Sequence, residues 1–240
     1  MVSKFLWKGG LFAIALMFCS VSPIFSQSND AGALIDQVIE AYGGRGNVLS
    51  VKAYRMEAVI QTHIRGENGS VIRVSEGPAK LKVIVRYPNN MEIRLLDGEN
   101  ALRGFAPGKL ALVQGPLRDS MVLQAARANI PWLLDKMRAE IRLTKSKDNS
   151  PVLEVPIGEG MFLKAFVDIK THLIIRAETV SEGEMKLGFA ADYSDFRKVN
   201  NVLFPFKEEN YASGSHTATT TVNKIMLNPS GEYLGLLFSK

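Results

Sequence analysis

The chain has 240 residues, 29 basic against 24 acidic, a formal net charge of +5 and one cysteine. A single cysteine excludes a disulfide framework, and the length suits one domain with a substantial core. Basic residues such as Lys80, Lys82 and Arg86 alternate with apolar ones, the pattern of a strand's solvated side. Nucleic-acid binding wants a concentrated basic stripe, so nucleic acid is not expected as a partner.

Lys4 and Lys8 open the chain, and no acidic residue precedes Asp30. The apolar run "GLFAIALMFCSVSPIF" follows, interrupted by Pro23, and then the polar "SQSND". A positive start, a short apolar middle and a small-residue exit predict a signal peptide over residues 1–26, cleaved after Ser26 or Ser28. The run is shorter than the roughly 20 residues that cross hydrocarbon. Phe18 stands before Cys19, where a lipid-modified leader would have a small residue. Export to the periplasm and one mature domain over 27–240 are therefore expected. Loss of the leader removes the cysteine and both early lysines, leaving about 214 residues with a net charge of +3.

In "AGALIDQVIEAYGG", Leu34, Ile35, Val38, Ile39 and Tyr42 recur at helical spacing, and Gly43-Gly44 ends the helix. The period then changes to two. Tyr54, Met56, Ala58, Ile60, Thr62 and Ile64 share one side of a long strand, and "GENGS" marks a turn. Alternation resumes in "KLKVIVRY", in "NMEIRLLDG", and in two short strands meeting at Pro107-Gly108. At mid-chain, "DSMVLQAARANIPWLLDKMRAE" is helical, capped at Asp119 and bent at Ile130-Pro131. Strands return near Val152, with a hairpin at Lys170-Thr171, and end in "SHTATTTVNKIML". The reading is a mainly β, α+β fold of ten or eleven antiparallel strands. So many twisted strands tend to curl, and the helices would then cover a hydrophobic hollow on the concave face.

Chemistry finds little purchase. His63, His172 and His216 lie far apart in sequence with no metal-ligand spacing, so each is expected as a surface or strand-end residue and no metal or cofactor is assigned. No G-x-S-x-G is present. Asp192 and Asp195 should face opposite ways, and "GGRG" follows a helix where a phosphate cradle would precede one. An enzyme is not expected.

"DFRKVNNVLFPFKEEN" places Pro205 between Phe204 and Phe206 in the second of two strands, and proline in a sheet belongs at edges and bends. This hairpin with its preceding "DYS", the unit "LIDQVIEAYGGRGNVLSVKAYRMEAVIQT" and the element order together resemble the LolA/LolB-like superfamily of periplasmic lipoprotein carriers. The resemblance implies an unclosed antiparallel barrel whose concave side, lidded by helices, holds acyl chains. Other members of that superfamily bind glycolipids or sense envelope lipoproteins. It further implies an acylated lipoprotein or lipid as ligand, inner- or outer-membrane protein partners, and a monomer. Met56, Ile60, Met91, Ile93, Trp132, Phe204 and Phe206 are the candidate cavity wall, with ordinary core filling as the competing role. The methionines Met56, Met91, Met121, Met137, Met161, Met185 and Met226 suit an adaptable apolar surface. The alternative function is an envelope sensor or scaffold that binds a protein with the same curved sheet and holds no lipid.

Overall fold

A computed structural model describes residues 26–158, 160–181 and 188–230. The expected signal peptide with Cys19, and Met185, lie outside the described residues. Two helices lead: α1 (Ser26–Ala41) and α2 (Arg45–Ser50). Ile35, Val38 and Ile39 of α1 are buried in one stripe, as their spacing requires. Gly43 and Gly44 have φ of 124° and 86° and stop the helix. The short α2 was not evident in the sequence, where "GGRG" reads only as a stop.

Six strands follow: β1 (Tyr54–Thr62), β2 (Asn68–Ser75), β3 (Lys80–Arg86), β4 (Met91–Asp97), β5 (Asn100–Gly104) and β6 (Leu110–Leu112). Helices α3 (Pro116–Arg127) and α4 (Ile130–Lys136) come next. The chain then forms β7 (Arg142–Lys145), β8 (Pro151–Gly158), β9 (Met161–Val167) and β10 (Ile174–Ser181). Three long strands finish the fold: β11 (Gly188–Val199), β12 (Val202–Ala212) and β13 (Ser215–Leu227).

The thirteen strands make one sheet in the order β6-β5-β4-β3-β2-β1-β13-β12-β11-β10-β9-β8-β7. Two halves, each a simple meander, are joined by the antiparallel β1–β13 pair, from Tyr54↔Leu227 to Thr62↔Ala218. The edges are the shortest strands, β6 and β7, and α3–α4 run between them in the chain. Short edges limit stray pairing. The result is a curved, unclosed antiparallel barrel with helices on one face.

Two strands escaped the alternation count. β7 has only four residues. β2 has glycine in it and Arg73 on its buried side, so it does not alternate cleanly. The expected "GENGS" turn is correspondingly shorter, because pairing resumes at Asn68 opposite Gln61.

The mid-chain bend also differs from expectation. α3 begins at Pro116, leaving Asp119 in its first turn instead of at its cap. It ends at Ala128-Asn129, ahead of Ile130-Pro131. There the Asn129 Nδ2 donates to the Ala125 carbonyl (2.8 Å), while its backbone N–H turns to Ala126 (3.0 Å). A side chain thus satisfies the last turn and stops the helix. Pro131 sits in the first turn of α4, where its missing N–H does no harm.

Buried side chains form two hydrophobic clusters. One gathers α1, α2, α4 and β8–β10 around Leu134, Leu153 and Leu163. The other gathers β1–β5 and α3 around Met56, Leu96 and Met121. Phe204 and Leu227 pack against both. No helix of the described residues is long and apolar enough to cross a membrane.

Candidate functional site

Where the two clusters meet, the helices and sheet leave a cavity of about 90 Å³. Its walls come from α2 and its flanks (Tyr42, Val48, Val51), β1 (Tyr54, Met56), the α3–α4 junction (Gln124 and Arg127 to Trp132) and β12 (Val202 to Pro205). Most of this lining is apolar. A second hollow of about 240 Å³, near the β11–β12 turn, is lined chiefly by Asn47, Asn200, Asn201, Asn228 and Ser50, so it offers little to an apolar ligand.

Charge sits inside the apolar cavity. Arg73 of β2 reaches Glu208 of β12 through two parallel bonds, Nη1 to Oε1 at 2.7 Å and Nη2 to Oε2 at 2.9 Å. Both residues are buried and line the cavity. Burial works against both charges, but each partner's opposite charge outweighs it: the Glu208 carboxyl is held below its ordinary range and the Arg73 guanidinium stays protonated. Burial pushes the Tyr193 hydroxyl upward, so it is a neutral group in the same wall. The Arg73 Nε finds no acceptor among the described residues.

A few hydrogen bonds hold the helices over the sheet. The Tyr54 hydroxyl donates to the Ala128 carbonyl (3.0 Å), and Asn129 Nδ2 donates to Ser75 Oγ (2.8 Å). Farther along α3, Arg94 donates to Gln124 (3.0 Å) and Arg127 to Asn210 (3.4 Å). Arg94 is itself held by Glu92, which also accepts from Arg103.

Of the candidate wall residues, Met56, Trp132 and Phe204 line this cavity. Ile60 and Phe206 belong to the second cluster outside it, Ile93 is buried elsewhere, and Met91 is half-buried. Phe204 and Phe206 do share the inward side of β12 with Val202 and Glu208, but Phe204 packs edge-on against Tyr54 (5.7 Å) while Arg197 lies over Phe206 (4.7 Å). Pro205 pairs with Phe196 of β11, and β12 meets β13 only from Lys207 onward. The proline therefore occupies a stretch with one sheet neighbour, as its missing donor demands. Arg73 and Glu208 were not singled out in the sequence; an arginine on the inward parity of β2 was the available signal.

His63 and His216 are exposed strand-end residues, as expected, but their distance in sequence hid a contact. His63, just after β1, and His216 in β13 have ring centroids 4.2 Å apart, brought together by the β1–β13 pairing. His172 stays on the β9–β10 turn, as expected.

The two sequence segments that suggested a family also touch. The Leu203 N–H donates to the Tyr42 carbonyl (2.9 Å), and a Cβ on Gly43 would fall 2.0 Å from the Asn201 carbonyl oxygen. The helix end is thus docked on the late hairpin. Solved structures share the overall fold. A LolA superfamily protein from Nitrosomonas europaea superposes with a TM-score of 0.54 at 14% identity, covering 89% of this chain and 98% of that one. The chain has the LolA fold. An outer membrane lipoprotein-sorting protein domain from Vibrio parahaemolyticus gives 0.51 at 8% identity, covering 88% and 99%. A DUF1329 family protein from Desulfovibrio piger gives 0.53 at 9%, covering 86% and 98%. No family model and no curated protein matches the chain. At such identities the LolA likeness is one of fold, and each residue's role has to be argued from its own surroundings.

Proposed function

We propose that this chain is a periplasmic, non-catalytic binding protein that shelters the acyl chains of a lipoprotein or lipid between its helices and sheet, for transfer to the outer membrane. The observation behind this reading is the cavity itself. It is mostly apolar and lies at the junction of two separately packed clusters, beside helices tied to the sheet by hydrogen bonds such as Tyr54 to Ala128.

At about 90 Å³ the hollow is below the ~300 Å³ at which ligand pockets begin. An acyl chain therefore enters only as α3–α4 move off the sheet and the two clusters part. Each methylene buried there gains about 0.8 kcal/mol, and the acyl chain has to replace both the latch bonds at ~1 kcal/mol each and the apolar contacts that Met121, Leu133 and Leu134 give up as the clusters part. A partner that displaces the helices returns those methylenes to a membrane, and the cargo leaves downhill without nucleotide energy. The unpaired Arg73 Nε–H offers a donor for an ester or amide carbonyl of the cargo.

Trp132 reports on this directly, as the one tryptophan after residue 26 and part of the cavity wall. Added phospholipid or acylated peptide is expected to shift its emission. Indifference to both would remove the α3–α4 junction from the ligand path.

A further inference from the structure

The outer face of the sheet holds a cluster unrelated to the cavity. Glu208 turns inward to Arg73, and its neighbour Glu209 turns outward. There Glu209 Oε2 accepts from His216 Nε2 (2.7 Å) and from Thr219 Oγ1 (2.6 Å). His63 Nε2 lies 2.9 Å from the same Thr219 hydroxyl. One nitrogen from each histidine and one Glu209 oxygen lie within 4.8 Å of one another.

From this we propose a binding site for a divalent late first-row metal ion, of the zinc class, held by His63, Glu209 and His216. Two imidazoles and one carboxylate are a zinc-type donor set with a fourth position left for water. The same imidazoles argue against magnesium or calcium, which take oxygen donors. Metal–ligand bonds of about 2.0–2.1 Å put donors roughly 3.3 Å apart in a tetrahedron. The site closes by side-chain rotation of about an ångström, and both histidines are exposed enough to rotate. Glu209 keeps its other oxygen on Lys207 Nζ (2.7 Å), which fixes the carboxylate's orientation, although the ammonium lowers the local attraction for a cation. Tyr211 stacks on the His216 ring (5.0 Å) and orients it. Each ligating nitrogen must be unprotonated, so binding releases any proton it carries.

The position gives the site a consequence. His63 follows β1, and Glu209 and His216 belong to the β12–β13 hairpin. A bound ion would clasp the end of the β1–β13 seam, which joins the two halves of the sheet across most of the sequence. Clips that close long loops have the most chain entropy to remove.

The test uses the protein without a histidine tag, stripped with chelator and titrated with Zn2+ by calorimetry and metal analysis. About one zinc per chain at a micromolar Kd (~1 μM) is expected, with at least a tenfold loss in His63→Ala, His216→Ala and Glu209→Gln and none in His172→Ala. Zinc should also raise the thermal midpoint of the wild type, and shift the ring resonances of His63 and His216 in its NMR spectrum. No binding at about 100 μM zinc, binding that survives both histidine substitutions, or ring resonances that do not move would each overturn the site.

Discussion

Arg73 and Glu208 are a charged pair placed where the apolar clusters meet, and their energetics follow from burial. Taking both ions out of water is costly, and the two-pronged bond recovers that cost only while both are present. Glu208→Gln or Arg73→Met alone should therefore destabilise the protein by about 3 kcal/mol, read as a lower denaturation midpoint. Arg73→Met combined with Glu208→Gln should cost much less than the sum of the two single changes; an additive double variant would refute the pairing. Gly43 is fixed by a different constraint. At φ 124° with the Asn201 carbonyl 2.0 Å from a notional Cβ, Gly43→Ala forces the helix end off the late hairpin. A loss of about 2 kcal/mol or more is expected in chemical denaturation.

At the level of elements, α3–α4 is held by its buried apolar face, Met121, Leu123, Leu133 and Leu134 among it, and by a few side-chain hydrogen bonds to the sheet. Tyr54→Phe removes the bond to Ala128 without changing the ring, so stability should fall by about 1 kcal/mol. Amide exchange at the α3–α4 junction should quicken while β1–β5 stay protected. One latch depends on acid. Burial tends to raise the Glu92 carboxyl, but Arg94 and Arg103 hold it below its usual value of 4.5. Its contribution is therefore complete above about pH 4.5 and is lost as the pH falls through the lowered folded value. As Glu92 protonates it releases Arg94, and with it the bond to Gln124. The wild type's thermal midpoint should then drop more steeply in acid than that of Glu92→Gln; parallel curves would separate Glu92 from the latch. Helical spacing located this segment, and Pro131 marked its bend to within two residues, while the outer ends lie three and four residues from the expected ones. The Asn129 side chain acts with Pro131 in setting the break, and its part was not legible because a side-chain-to-backbone bond has no periodic signature.

Across the whole molecule, alternation revealed most of the strands and the helix–strand–helix–strand order, and the curled sheet followed from their number. β2 and β7 were hidden by an inward arginine and by brevity. Neither the seam nor the sites could be read from local pattern. The β1–β13 pairing joins residues from opposite ends of the chain, and it alone brings His63 to His216. Burial of Arg73 likewise depends on Glu208, 135 residues away. The cavity depends on how two clusters abut, so Met56, Trp132 and Phe204 lie in its wall while Ile60, Met91, Ile93 and Phe206, equally apolar, lie outside it. The central claim is that this hollow opens to hold acyl chains. Native mass spectrometry of protein purified without detergent tests it most directly. The account predicts a defined adduct of lipid or acylated-peptide mass, retained by the wild type and diminished when Phe204→Glu places a charge in the cavity wall. A clean ligand-free mass, with no uptake of added phospholipid or acylated peptide, would contradict it and favour an envelope sensor or scaffold that uses the curved sheet to bind protein.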